Sequence, residues 1–146
     1  MRMERPKALG RNGEKTTDMP SASHQQLRGI MRERIMIMDG AMGTMIQRCG
    51  FGQEDFHGDR FADHGQDLTG NNDLLVLTRP EAIRGIHDQY LEAGADIIET
   101  NSFNSTSIAQ ADYGTEAVVR EINREAARLA RAACEDWTAR TTDRPR

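Results

Sequence analysis

Ile35–Gln47 reads IMIMDGAMGTMIQ: four large apolar residues in a row, then an aspartate, a glycine and, three residues on, a second glycine. An unbroken apolar run with Arg34 before it and Asp-Gly after it predicts a short strand covered on both faces, as in a parallel sheet, rather than an alternating, half-exposed one. The glycines predict a backbone at the strand's end that can come close to a ligand.

Upstream, Ser23 fits an N-cap, and Leu27, Ile30, Met31 and Arg34 follow at helical spacing. Residues 1–23, MRMERPKALGRNGEKTTDMPSAS, hold few apolar side chains among Gly, Pro, Lys and Arg, so burial cannot offset the entropy of ordering; the expectation is a disordered leader. Its acidic residues and lack of amphipathic period argue against a transit peptide.

Downstream, Arg48–Asp73 is polar, glycine-rich and without a sustained period, long enough to be a functional loop or to hide short elements. RPEAIRGIHDQYLEAGAD then predicts a helix: Pro80 in the first turn with Glu81 beside it, an apolar stripe of Ile83, Ile86, Tyr90 and Leu91, and Gly94 as a stop. Asp96–Thr100, DIIET, is a second strand-like run. Glu116–Trp137 is the longest predicted helix, with Val118, Ile122, Ala126, Leu129, Ala133 and Trp137 on one face. Strand, helix, strand, helix is the alternation of an α/β protein with parallel strands. Two such units leave sheet edges open, so residues 24–146 read as part of a domain.

Nineteen Lys and Arg stand against 23 Asp and Glu, with the signs interspersed, which disfavours a nucleic-acid or anionic-membrane surface. Cys49 and Cys134 lie far apart with no metal-ligand spacing around either, so neither a disulfide framework nor a zinc set can be read; two reduced thiols are expected. No run is long enough to cross a membrane and none has the core of a signal peptide, which predicts a cytoplasmic protein.

Ligands of parallel α/β proteins gather at the carboxyl ends of strands, and both runs end on polar marks. Asp39 could hold an ammonium by a charge-assisted hydrogen bond while the amides around Gly40 meet a carboxylate, a pairing that suits an amino acid. A plain turn or helix cap explains Asp39–Gly40 equally well. The second run ends ETNSFNST, with Glu99, Thr100, Asn101, Phe103, Asn104 and Ser105, which reads as a ligand loop or as a polar loop capping the next helix. GAMG lacks the spacing of a dinucleotide fingerprint and has no P-loop lysine. His57, His64 and His87 are scattered, without ligand spacing, and the methionines of the first run and the helix before it read as core.

The stretch from RIMIMDGAMGTMIQ through GNNDLLVL and EAGADIIETNSFNST, and on to the chain end, resembles the amino-terminal, homocysteine-binding region of the cobalamin-dependent methionine synthase family. The resemblance implies a (β/α)8 barrel with substrate at the strand ends. It also implies roles in binding homocysteine: Asp39 and Gly40 at its amino-acid end, Phe103 there through its backbone amide, and Thr100, Asn101 and Asn104 lining the loop. None of these roles is catalytic. The implied reaction is methyl transfer from methylcobalamin, regenerated from methyltetrahydrofolate, to homocysteine, giving methionine. The family's zinc, which turns the thiol into a thiolate, is held by three cysteines on later strands, and neither Cys49 nor Cys134 matches one of them. A complete barrel needs roughly 250 residues. The expectation is therefore an amino-terminal portion of one, inactive by itself, with folate and cobalamin handled by domains beyond it. Another homocysteine S-methyltransferase, using betaine or S-methylmethionine, and a non-catalytic protein that binds a partner through an open sheet edge are the alternatives.

Overall fold

The computed structural model describes residues 21–141, so most of the leader expected over residues 1–23 lies outside the described residues. The chain divides into two compact units, Met1–Ile35 and Met36–Arg146. In the first, helix α1 spans Ala22–Glu33. Its cap is Ser21 rather than Ser23: the Ser21 hydroxyl accepts the His24 amide at 3.2 Å, satisfying one of the orphan donors of the first turn.

The second unit is helical. Helix α2 (Met42–Arg48) and the short α3 (Gln53–His57) lead to a 3-10 turn over Asn72–Leu74 that runs into a single turn, α4 (Leu75–Thr78). Helix α5 (Pro80–Glu92), a single turn α6 (Ser107–Gln110) and the long α7 (Val119–Arg140) complete it. Helix α5 forms where expected, with Pro80 at N1, Glu81 in the first turn and Gly94 at φ 105° just past its end. It buries Ile83, Ile86 and Leu91, and each such side chain stabilises the fold by about 1.5–3 kcal/mol. Helix α7 packs on α4 and α5 and buries Ile122 with Ala126, Ala130 and Ala133, small residues that allow a close approach. At the rim of this pair Asp88 accepts from Arg84 at 3.1 Å and from the Trp137 indole at 2.9 Å, and Arg84 reaches Asp136 at 2.6 Å.

The expected α/β architecture, and with it an amino-terminal portion of a (β/α)8 barrel, is overturned. Among the described residues there is no sheet, only one isolated parallel bridge between Met38 and Ile97. The two apolar runs do meet: Asp39 N–H donates to Ile97 O at 3.0 Å and Asp96 N–H to Ile37 O at 2.7 Å. The carboxylates that border the runs then take the donors a longer ladder would use. Ile37 N–H goes to the Asp96 carboxylate at 3.0 Å and Glu99 N–H to the Asp39 carboxylate at 2.9 Å. Nor are the runs covered on both faces, since Ile37 and Met38 are 57% and 55% exposed.

The segment Arg48–Asp73 is organised rather than structureless. The Asp55 carboxylate accepts the Gly52 amide at 2.9 Å to start α3, and Phe56 and Leu68 are buried in the core.

Candidate functional site

The junction of the two apolar runs sets Asp39 beside the Glu99–Ser105 loop. Asp39, Gly40, Thr100, Asn101, Phe103 and Asn104, the six residues singled out from sequence, all line one cleft of about 580 Å³, with Ala41, Met42, Gly43, Asn72, Asp73, Glu99 and Ser102. Among the described residues, three carboxylates and no lysine or arginine line it.

Asp39 is half-buried, and its partial burial pushes the carboxyl above the ordinary carboxylate range; the Glu99 amide opposes this and the Glu99 charge adds to it. A cation placed there would relieve the strain of holding that charge. Just beyond, Ala41 is the one non-glycine with positive φ among the described residues, at 50°, a left-handed conformation that costs a residue with a Cβ about 1–2 kcal/mol. Strain of this kind collects at functional sites. Helix α2 starts there with no side-chain cap, and a Cβ at Gly40 would meet nothing within 4 Å. No packing demand therefore accounts for that glycine; it leaves the backbone open to the cleft.

The second wall is a loop clamped from behind. Asn101, buried, donates to Asn72 O at 2.7 Å, so it anchors the loop rather than facing a ligand with a free amide. The Asn104 N–H is shared between both Asp73 carboxylate oxygens at 3.2 Å. Asn123 donates to Ser105 O at 2.8 Å, and Thr100 and Ser102 pair through their hydroxyls at 2.7 Å. Phe103 has a side chain that is 95% exposed and an amide that finds no acceptor among the described residues, leaving it as an available donor. Behind the loop a buried network joins Asn71, Gln110 and Thr115, and Gln110 also donates to Asn104 O at 3.3 Å.

Sequence reasoning missed Asn72 and Asp73. The run GNND before an apolar stretch reads as a turn, and a buried aspartate has no sequence mark. Gln110 was equally invisible, a glutamine in a polar stretch. Asp73 is 4% exposed, and burial pushes its carboxyl up, against the Asn104 amide and the Ser105 hydroxyl.

The histidines do other work. His57 sets its ring nitrogens 2.9 Å from Gln53 O and 3.2 Å from Gln66 O, and His64 sets Nε2 2.8 Å from Tyr113 O. Both line a second cleft, of about 670 Å³, near Arg79, and both tie down the Arg48–Asp73 segment. His87 is fully buried in α5, neither ring nitrogen has a hydrogen-bond partner among the described residues, and burial pushes its pKa below the ordinary value. Among the described residues no three His, Cys, Asp or Glu side chains converge on a metal position; Cys49 is exposed and Cys134 half-buried, and no disulfide joins them. No described helix is long and apolar enough to cross a membrane.

Residues 36–145 match the family model described as homocysteine S-methyltransferase, a span that contains the whole cleft. The chain belongs to that family of methyltransferases.

Proposed function

We propose, with membership of the homocysteine S-methyltransferase family as the premise, that the Asp39 cleft holds the amino-acid end of homocysteine. Asp39 takes the substrate ammonium; the backbone amides at Gly40 and Phe103 take its carboxylate; Thr100, Asn101 and Asn104 shape the loop around it. The observation that carries this reading is the convergence of these six residues on one cleft that, among the described residues, has carboxylates but no basic side chain. In such a cleft an ammonium is met by side-chain charge, and a carboxylate can be met only by backbone and side-chain N–H or O–H donors.

The reaction is S-methylation. The homocysteine sulfur attacks the methyl carbon, an S–C bond forms as the bond to the donor breaks, and the thiol proton is lost, giving methionine. The donor we propose is methylcobalamin, regenerated from methyltetrahydrofolate; the support is the long resemblance through GNNDLLVL and EAGADIIETNSFNST. Zinc, where bound, would favour loss of the homocysteine thiol proton. The described residues of this chain offer no ligand set that fits it, so thiol activation is assigned to none of them. Their part is to bind and orient the amino-acid end.

Titration of the chain with L-homocysteine, followed by calorimetry, tests the reading. Asp39→Ala should weaken binding by about 1.5–3 kcal/mol, the range for a hydrogen bond to a charged group. An unchanged affinity would reduce Asp39 to a structural turn.

A further inference from the structure

We infer that Asp73 is a positioning residue for this cleft: its buried carboxylate holds the Asn104 amide and so fixes the peptide on which the Phe103 donor is presented. The inference rests on the reading of the cleft as a homocysteine site.

Two consecutive residues, Asn72 and Asp73, anchor both ends of a short span of loop. Asn72 O holds the Asn101 side chain at 2.7 Å, and Asp73 holds the Asn104 amide with both oxygens at 3.2 Å. Between the anchors lie Ser102 and Phe103. The Phe103 side chain is almost wholly exposed, so packing does not orient its backbone; the anchors do, together with the turn bond from Ser105 N–H to Ser102 O at 3.2 Å. The anchors are themselves rigid, because the 3-10 turn that carries them continues into Leu74 and Leu75, both with no exposed surface. Burying a carboxyl group is unfavourable, and one placed there with both oxygens on the Asn104 amide and the Ser105 hydroxyl beside it is matched to holding this loop. Asp73 also lines the cleft, so the amide it holds belongs to the wall of the same cleft.

The experiment uses the 146-residue chain labelled with 15N, reading amide hydrogen exchange at Phe103 and Asn104 and affinity for L-homocysteine. In the unmodified chain the Asn104 amide should exchange at least about tenfold more slowly than the Phe103 amide, the signature of a held donor beside a free one. Asp73→Ala should erase that difference and weaken homocysteine binding tenfold or more. Asp73→Asn, which keeps an acceptor oxygen in place, should restore the protection and bring affinity back to within a few-fold. If the alanine variant fails to fold, Asp73→Glu, which displaces the acceptors by one methylene, should show the same losses. Equal exchange at the two amides in the unmodified chain overturns the inference. So does an Asp73→Ala chain with unchanged affinity, or a loss of affinity that asparagine leaves unrepaired, which would make Asp73 a direct charge partner instead. A chain that ignores homocysteine while Asn104 stays protected refutes the site reading and leaves Asp73 as a loop anchor only.

Discussion

Replacing Gln110 by leucine removes the centre of the network behind the binding loop, and the structure sets the size of the effect. Gln110 has no exposed surface and Asn71 only 2%. Their amides pair reciprocally, Asn71 Nδ2 to Gln110 Oε1 at 2.8 Å and Gln110 Nε2 to Asn71 Oδ1 at 3.0 Å, and Thr115 donates to Gln110 Oε1 at 2.7 Å. Leucine fills similar space but leaves Asn71 Oδ1 with no donor and Asn71 Nδ2 with only the Thr115 oxygen at 3.4 Å. Each stranded buried group costs about 1–3 kcal/mol, and the remaining Thr115 contact softens the second, so the expected loss is about 2–4 kcal/mol. Urea unfolding followed by circular dichroism, with m-values checked for constancy, measures it. Asn71→Leu combined with Gln110→Leu removes both partners together, so the pair should lose less than the sum of the single losses by at least about 1 kcal/mol. Strict additivity, or a Gln110→Leu loss below about 0.5 kcal/mol, the level of an ordinary surface change, would refute the reasoning.

Ala41→Gly should hold or raise stability by up to about 1 kcal/mol, because relief of the left-handed strain offsets the added freedom of the unfolded chain, whereas Ala41→Val should lose at least that much; a glycine variant less stable than the valine variant, by thermal melting, would contradict this. His87→Leu should raise stability at pH 7.5 by about 1 kcal/mol through removal of two unpaired buried nitrogens. The sign with pH follows from the depressed pKa of the folded state: below the ordinary value of 6.5 the unfolded chain takes up a proton that folded His87 refuses. The unmodified chain should therefore lose stability relative to His87→Leu as pH falls from about 6.5 toward the depressed pKa, by at most about 1.4 kcal/mol per pH unit; parallel curves from pH 7.5 to 5 would show His87 ionising freely.

The sequence disclosed the long helices, and the residues that come to line the Asp39 cleft, more readily than the architecture joining them. Helix α5 was legible because Pro80, the Ile83–Ile86–Leu91 stripe and Gly94 agree at the start, middle and end of one element. The body of α7 was legible from its apolar period, although Val118 belongs to a 3-10 turn ahead of the helix. The apolar runs at Ile35 and Asp96 misled because composition reports a preference for extension, whereas a sheet needs neighbours and free backbone donors. Here the flanking Asp39 and Asp96 side chains capture two of those donors, and pairing stops at one bridge. Asp39, Gly40 and the ETNSFNST loop remained readable because they depend on which residues follow each run, not on whether the run becomes a strand. Asn72, Asp73 and Gln110 act through contacts 29 to 39 residues away in sequence, and the last two through burial as well, which no local pattern encodes.

The central claim, that the Asp39 cleft receives the amino-acid end of homocysteine, is tested most directly by mapping amide shifts of the 15N-labelled chain during titration with L-homocysteine. Saturable shifts are expected at Gly40, Phe103 and Asn104, absent in Asp39→Ala, with His57, His64 and Arg79 in the second cleft unmoved. Shifts centred on that second cleft, or a response that survives Asp39→Ala undiminished, would contradict it.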